Sequence, residues 1–270
     1  MKIEDAEALV AKALMANLVS ENNALSVARA LVAAEVDGQS GHGFARVAAY
    51  CAQARSGKVV GAACPSIESS GAAFIRIDAL NGFAYPAIDL AIDELASLAK
   101  QSGIAAAAIA NSHHCGQLGA HVEKLAERGL VALMVANTPK AMAPWGGNKP
   151  LFGTNPIAFA APRDNAAPIV IDLSLSKIAR GKIMAAKKRG ESIPEDWALD
   201  ADGNPTTDPD AALSGMMLPA GDAKGSALAL MVEILAATMT GANYSYEATS
   251  FFDAERSEER RVGKECRSRW

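Results

Sequence analysis

The sequence predicts a helix-rich α/β fold, and two observations support this prediction. Half of the 270 residues are hydrophobic, but aromatic residues make up 5% of the chain and alanine is abundant. This composition favours helices over an all-β sandwich, whose strands are enriched in aromatic and β-branched residues. From residue 72 onward, short apolar runs also alternate with amphipathic segments, which is the pattern of strands joined by helices.

The first 70 residues are expected to form a helical part of the chain. Apolar residues recur at helical spacing over residues 3–19, and a second periodic segment covers residues 24–36. A third helix is expected over residues 44–55, directly after a histidine that stands between two glycines. The third helix would therefore begin next to that histidine.

Residues 71–254 are expected to form an α/β region. Apolar, turn-bounded runs predict strands at residues 72–78, 104–110, 130–136, 157–161 and 168–173, and helical periodicity predicts helices at 86–101, 116–128, 176–188 and 224–240. The strands at 104–110 and 168–173 are apolar enough to be buried. Residues 163–165 are expected to join two strands as a hairpin.

Composition argues against several classes of protein, and it sets the last sixteen residues apart from the rest of the chain. A net charge of −4 without a basic stripe argues against a nucleic-acid partner, and no apolar run reaches the roughly 20 residues that cross a bilayer. The acidic N-terminal segment is not a signal peptide, and four separated cysteines indicate a reducing, cytoplasmic setting. Residues 255–270 carry six basic and four acidic side chains among sixteen, and we expect this segment to be a non-native tail.

His42 is the first candidate for acid–base catalysis. It stands between Gly41 and Gly43 at a predicted helix start, where backbone N–H groups attract an anion and lower the pKa of an imidazole. Arg46, one turn later, could pair with that anion. The alternatives are that His42 caps its own loop and that Arg46 is a solvated helix arginine.

Asp172 is the second candidate, because a carboxylate follows the apolar run 169–171. It could orient a protonated His42, or it could cap the next helix. Ser174 and Ser176 would open that helix and form a second anion site. A hydrolytic triad of Ser40, His42 and Asp172 is weaker, since Ser and His two residues apart rarely face each other.

Two further segments are candidate cofactor contacts. His113, His114 and His121 suggest a metal, but adjacent histidines in an extended segment point in opposite directions, so we expect no metal and a polar loop that contacts a cofactor. Lys224, at a predicted helix start, could bind phosphate or be an exposed lysine. The chain lacks GxGxxG after a strand, a Walker A lysine motif and a GxSxG elbow.

Five motifs together resemble a known family. They are Gly-His-Gly-x-x-Arg at 41–46, Asn-Ser-His-His at 111–114, Gly-Thr-Asn-Pro-Ile-Ala-Phe-Ala-Ala-Pro at 153–162, Ile-Asp-Leu-Ser-x-Ser at 171–176 and Ala-Lys-Gly at 223–225. Over residues 1–254 the chain resembles the malate/L-lactate dehydrogenase superfamily, which is unrelated to Rossmann dehydrogenases. Within it, the chain looks most like the delta-1-piperideine-2-carboxylate/delta-1-pyrroline-2-carboxylate reductases.

The resemblance implies a homodimeric, non-Rossmann α/β fold with a largely antiparallel central sheet. Residues 1–70 would belong to the substrate and dimer domain, and residues 71–254 would bind the cofactor. His42 would be the proton donor, with Asp172 as its relay partner. The implied cofactor contacts are Arg46, His114, Cys115, Gly116, Gln117, Leu118, Ile171, Leu173, Ser174, Leu175, Ser176, Lys224 and Gly225.

Three departures from the family pattern stand out. Gly41 occupies the position before the catalytic histidine where the family usually has serine, and Ser40 lies one residue earlier. Ala223 replaces a histidine that many members have before the lysine. Family members also continue for several dozen residues past residue 254, where this chain has the charged tail.

The resemblance implies reduction of a cyclic 2-imino acid to L-proline or L-pipecolate with NADPH or NADH. A small-molecule substrate is the expected partner. One alternative is a 2-hydroxy-acid dehydrogenase acting on malate, lactate or a relative. Another is a catalytically inert binding or assembly subunit, because the family's C-terminal part is replaced.

Overall fold

The N-terminal helices pack around a common apolar core. The computed structural model describes residues 1–254, and the charged tail lies outside the described residues. Helix α1 spans Ile3–Met15, α2 spans Glu21–Val36 and α3 spans Val47–Arg55. The buried face of α1 presents Val10 and Leu14 to α2, as the helical spacing of its apolar residues predicts. The helix ends before residue 19 because Leu18 adopts a positive φ of 66°.

The first sheet contains three strands and one crossover helix. Strands β1 (Ser66–Ser70), β2 (Phe74–Asp78) and β3 (Ala106–Ala110) lie side by side in that order, with β1–β2 antiparallel and β2–β3 parallel. Helix α4 (Ala84–Ser102) connects the parallel pair. Since β1 pairs with β2, the expected boundary at residue 70 falls inside a sheet. Strand β3 is half-exposed along most of its length, so the prediction of a buried strand there is wrong.

The second sheet is antiparallel and is packed on one face by a helix. Strands β4 (Ala132–Val135), β5 (Ile157–Arg163) and β6 (Ala166–Leu173) form it, and β5 and β6 make the predicted hairpin. Helix α5 (Gly119–Ala126) covers its inner face. The prediction that β6 is buried is wrong: its apolar residues 169–171 are 37% to 47% exposed. Ile169 and Ile171 lie on the sheet face opposite to α5, whereas Val170 faces Gly119 of that helix.

The remaining elements form a third layer around Met142, Ile183 and Met217. They are α6 (Arg180–Arg189), β7 (Ala198–Leu199), α7 (Pro209–Ser214), β8 (Met216–Met217) and α8 (Ala223–Glu233), which continues as a π-helical turn over Ile234–Thr238. The predicted helix start at residue 176 is wrong. Ser176 pairs with Pro219 instead, and the helix begins at Arg180.

The predicted fold class is confirmed. Helices flank small sheets in which four of the five described strand pairs are antiparallel. The strands are divided among three sheets within the described part of the chain. Among residues 1–254, none of the helices is both long and apolar enough to cross a bilayer.

Leu14→Ala should lower the free energy of unfolding by about 2–5 kcal/mol, because it leaves a cavity in the core between α1 and α2. Leu9→Ala on the same helix is the matched control, since Leu9 is 59% exposed and Leu14 is 0% exposed. The control should change stability by less than about 0.5 kcal/mol. Urea unfolding measures both, and equal losses would contradict this packing.

Candidate active site

His42 lies in a short turn that precedes α3. Ser40–His42 and Phe44–Arg46 are two 3₁₀ turns, and the backbone N–H of His42 donates to Gln39 O at 2.7 Å. The prediction of a helix N-terminus at His42 is therefore wrong. Gly43 lies between the two turns. A larger residue would not fit there, because its Cβ would collide with the Glu35 carboxylate, which accepts a hydrogen bond from the Phe44 N–H at 2.9 Å.

Arg46 is half-buried and turned toward the histidine turn. Its Nε donates to Gly41 O at 2.7 Å, and its guanidinium carbon lies 4.4 Å from the ring centroid of Phe252. The Nη1 atom is buried and has no hydrogen-bond partner among the described residues. Burial lowers the pKa of Arg46 from its ordinary value. Arg46 is thus no solvated helix arginine, and it retains a donor for an additional acceptor.

The fold brings His42 to the segment that contains His113 and His114. The rings of His42 and His114 stack with centroids 5.3 Å apart and planes 10° from parallel. His114 Nδ1 lies 2.6 Å from Tyr50 Oη, which lies 3.1 Å from Tyr85 Oη. His42 Nδ1 is buried without a described hydrogen-bond partner. The stacked pair therefore combines one ring held by a phenol with one ring whose Nδ1 is unpaired.

The prediction that His113 and His114 point in opposite directions is wrong. Both rings contact Tyr50, with centroids 5.2 and 6.2 Å away, and both contact Phe251, at 5.5 and 5.0 Å. The segment is not regularly extended, because Asn111 has a φ of 53°. Across residues 1–254, no group of three possible ligand side chains could hold a metal ion.

Burial keeps the imidazoles of the site neutral at pH 7. It lowers the pKa of His42 to about 4, with a further contribution from the Arg46 cation. Burial also lowers the pKa of His114 well below its ordinary value and raises those of the Tyr50 and Tyr85 phenols. The positive charge of Arg46 lowers the pKa values of both imidazoles and, against the larger effect of burial, those of both phenols. The site therefore combines neutral hydrogen-bonding rings with one positive charge.

Asp172 lies at the end of β6, where it contacts the segment that follows His114. Its Oδ2 accepts from the Gly119 N–H at 2.7 Å, and desolvation raises its pKa against the effect of that bond. Among the described residues it makes no hydrogen bond to His42. Burial raises the pKa of the Cys115 thiol to about 12, and the negative charge of Asp172 contributes to that rise. The exposed Ser40 is likewise not joined to Asp172.

Two predicted cofactor-binding stretches lie side by side. The Ala220 N–H donates to Leu175 O and the Lys177 N–H donates to Leu218 O, both at 2.8 Å. Since this pairing occupies the backbone, residues 174–176 do not form a helix N-terminal anion site. Ser174 and Ser176 share a hydroxyl hydrogen bond at 3.0 Å, while Ile171 and Leu173 lie on the exposed sheet face.

The first turn of α8 continues from this paired segment. Lys224 is exposed in that turn, which confirms the predicted helix start to within one residue. Gly225 packs directly on the backbone carbonyl of Ala220, so a Cβ would not fit there. The first turn of α8 thus begins a few residues after Ala220, whose backbone pairs with Leu175 in the stretch that contains Ser174 and Ser176.

The segment after His114 is fixed by specific contacts. Gly116 has a φ of 70°, and a Cβ there would lie 2.6 Å from the Tyr85 hydroxyl. Gln117 donates to the Asp37 carboxylate at 2.6 Å, and Leu118 is buried under the second sheet. His121 Nε2 donates to the carbonyl of Cys115 at 2.8 Å. Each contact limits the positions available to the His114 ring.

Sequence reasoning missed the aromatic residues that surround the histidines. They are Tyr50, Phe83, Tyr85, Phe251 and Phe252. One observation could have indicated them: the chain has four tyrosines and seven phenylalanines, and Tyr50 follows Arg46 at helical spacing.

A family model described as malate/L-lactate dehydrogenase matches residues 1–266. The chain therefore belongs to the malate/L-lactate dehydrogenase family and is an NAD(P)-dependent oxidoreductase. The residues fit a nicotinamide cofactor, because the exposed ammonium of Lys224 can donate to its phosphate oxygens.

Two curated relatives differ in the substrate that their names give. The chain is 55% identical to a (2R)-3-sulfolactate dehydrogenase (NADP(+)) of Chromohalobacter salexigens, over 94% of this chain and 76% of the relative. It is 47% identical to a delta(1)-pyrroline-2-carboxylate/delta(1)-piperideine-2-carboxylate reductase of Pseudomonas putida, over 84% and 67%. The chain thus spans about two thirds to three quarters of these relatives.

Solved structures agree with the fold. The delta1-piperideine-2-carboxylate reductase of Pseudomonas syringae pv. tomato matches with a TM-score of 0.89 and 43% identity, over 92% of this chain and 75% of that one. The sulfolactate dehydrogenase of Methanocaldococcus jannaschii matches with a TM-score of 0.88 and 33% identity, over 95% and 74%. The oxidoreductase class is thereby defined, and the substrate differs among the relatives.

The buried histidines should make the protein less stable below neutral pH. His121, like His42, has a pKa lowered to about 4 by burial, whereas an unfolded histidine titrates near 6.5. Between these values the unfolded chain binds more protons, so the free energy of unfolding must fall as the pH falls.

His121→Gln should therefore reduce the loss of stability between pH 7 and pH 5 by on the order of 1 kcal/mol. Urea unfolding of wild type and variant at the two pH values measures the difference. If both proteins lose the same free energy, His121 does not have the lowered pKa that its burial implies.

Proposed function

We propose that the protein reduces a cyclic 2-imino acid, delta-1-pyrroline-2-carboxylate or delta-1-piperideine-2-carboxylate, to L-proline or L-pipecolate with NADPH or NADH. The observation that carries the proposal is the buried, unpaired Nη1 of Arg46 beside the neutral ring of His42. It is supported by the likeness to reductases that are 47% and 43% identical.

Arg46 is proposed to bind the substrate carboxylate. Its buried Nη1 donor has no hydrogen-bond partner among the described residues. A carboxylate would accept charge-assisted hydrogen bonds from this guanidinium. The contacts of Nε with Gly41 and of the guanidinium with Phe252 hold the group in place before the substrate arrives. Less conformational entropy is then lost on binding.

The charge of the site favours a substrate with one negative group. Arg46 is the cation that acts on His42, His114 and the two phenols, and a second anionic group would face neutral rings. A cyclic imino acid has one carboxylate and a ring whose methylene groups suit Phe251 and Phe252. Malate and sulfolactate each carry two anionic groups.

His42 is proposed to deliver the proton to the ring nitrogen. A neutral imidazole is a poor proton donor, but a carboxylate bound to Arg46 offsets the charge that helps to lower the pKa of His42. Substrate binding would therefore raise the pKa of His42 toward neutrality, where an acid catalyst is most effective. Asp172 would act as a positioning residue through residues 115–119, and Ser40 as a relay to solvent.

The cofactor would supply a hydride to the carbon next to the ring nitrogen. Its proposed contacts are Arg46, His114, Cys115, Gly116, Gln117, Leu118, Ile171, Leu173, Ser174, Leu175, Ser176, Lys224 and Gly225. Lys224 would neutralise phosphate, and the paired segment next to it would form one wall. We further propose a cytoplasmic homodimer, as the family resemblance implies.

A 2-hydroxy-acid dehydrogenase is the second candidate, because the relative with 55% identity is named a sulfolactate dehydrogenase. The same residues would serve it, with the proton moving between His42 and a carbonyl oxygen. An inert binding or assembly subunit is a third candidate.

One assay separates these candidates: NADPH and NADH consumption with pyrroline-2-carboxylate, piperideine-2-carboxylate, pyruvate and 3-sulfopyruvate. The proposal predicts the highest kcat/KM with a cyclic imine. A preference for either oxo acid would replace it with the dehydrogenase. No turnover together with no change in NADPH fluorescence on mixing would instead support the inert subunit.

His42→Asn should lower kcat by about 10²- to 10⁴-fold, the usual contribution of a general acid. NADPH binding, measured by fluorescence titration, should stay within a few-fold of wild type, because the variant keeps Arg46 and Lys224. Normal turnover in His42→Asn would exclude the proposed role of His42.

Arg46→Gln should raise the KM for the imino acid by about 10- to 100-fold, since a charged hydrogen bond contributes roughly 1.5–3 kcal/mol. Arg55→Gln is the matched control, because Arg55 is an exposed arginine at the end of the same helical segment. Steady-state kinetics should show an unchanged KM for the control. An equal KM in both variants would contradict carboxylate binding by Arg46.

A further inference from the structure

Two buried tyrosines form a hydrogen-bond chain that ends on His114. Tyr85 Oη lies 3.1 Å from Tyr50 Oη, and Tyr50 Oη lies 2.6 Å from His114 Nδ1. All three side chains are buried. The chain links α4 through α3 to the segment that begins after β3, so it joins three parts of the sequence at one ring.

The direction of these hydrogen bonds follows from counting protons. Each phenol has one proton to donate, and the burial that raises both phenol pKa values keeps them protonated. Among the described residues, the hydrogen-bond partner of the Tyr85 hydroxyl is Tyr50 Oη. Gly116 packs so closely on the same hydroxyl that a Cβ would lie 2.6 Å away. Tyr85 therefore donates to Tyr50.

Tyr50 must then use its own proton for His114. We propose that Tyr85 and Tyr50 are positioning residues that fix His114 as the neutral tautomer with its proton on Nε2. The opposite direction would need a proton on His114 Nδ1, and it would leave the buried Tyr85 hydroxyl as an unpaired donor.

The charges around His114 favour the same state. Arg46 and His42 face it from the two 3₁₀ turns, and His113 adjoins it in the chain. Each of them disfavours a second proton on the ring, as does burial. The neutral ring therefore keeps Nδ1 as the acceptor for Tyr50 and Nε2 as a donor.

The two stacked histidines thereby acquire different tasks. His114 is held as a fixed donor, while His42 has an unpaired Nδ1 and is free to change its protonation state. This division of tasks rests on the proposed function, in which His42 gives up a proton. His114 Nε2–H would then donate to an acceptor oxygen of the cofactor or substrate without entering the proton transfer.

Long-range ¹H–¹⁵N NMR of protein labelled at histidine nitrogens tests the tautomer directly at pH 7. His114→Gln identifies the signals of His114 by their loss. The proposal predicts a protonated Nε2 and a bare Nδ1 in the wild-type protein. A protonated Nδ1, alone or together with Nε2, would overturn it. No substrate is needed, so failure of the proposed function leaves this result interpretable.

Tyr50→Phe tests whether the hydroxyl chain is the cause. Removing the donor to Nδ1 should allow the Nδ1–H tautomer to appear in the His114 spectrum. Tyr246→Phe is the matched control, because Tyr246 is exposed and stacks on Tyr244. A His114 spectrum that is identical in wild type, Tyr50→Phe and Tyr246→Phe would show that Tyr50 does not set the tautomer.

Discussion

The hydrogen bond between Tyr50 Oη and His114 Nδ1 is the contact on which the site depends. It lies in the buried interior, where an unpaired phenol or imidazole would cost about 1–3 kcal/mol. Because Tyr50 belongs to α3 and His114 follows β3, the bond fixes the N-terminal helices against the first sheet. His42 stacks on the ring that this bond holds.

Burial of this aromatic layer also determines the electrostatics of the site. Low solvent exposure disfavours charge on His42, His114, Tyr50 and Tyr85, so Arg46 faces neutral groups. A cation held among neutral, buried groups is stabilised when an anion accompanies it. We propose that the free protein is arranged for one carboxylate and that a ligand carrying it changes the protonation of His42. In this proposal, binding and acid catalysis are coupled through the charge of Arg46.

Local periodicity predicted much of the fold but not the burial of strands. The hairpin of β5 and β6 and the helices α4 and α8 follow from apolar spacing and turn residues within each segment. Residues 169–171 are as apolar as a buried strand, yet burial depends on whether another element covers the sheet. Ser176 was predicted to begin a helix, because its bridge partner, Pro219, is distant in sequence and local periodicity does not reveal such a contact.

The site was likewise predictable only in part, because local sequence patterns do not reveal contacts between distant segments. The sequence marked His42, Arg46 and His114 as candidates, because their side chains are polar or charged and His42 stands between two glycines. The fold does bring these three residues together. Tyr50 and Tyr85 look like ordinary apolar positions of helices, and their role comes from contacts between distant segments. The link of Asp172 to residues 115–119 is likewise a contact between distant segments.

The most direct test of this account is the pKa of His42, measured by NMR titration without and with pyrrole-2-carboxylate, a planar ring with a single carboxylate. The account predicts a low pKa near 4 in the free protein and a clear rise when the carboxylate binds, since the anion offsets Arg46. An unchanged pKa of His42 in the saturated complex would contradict the coupling between carboxylate binding and proton donation.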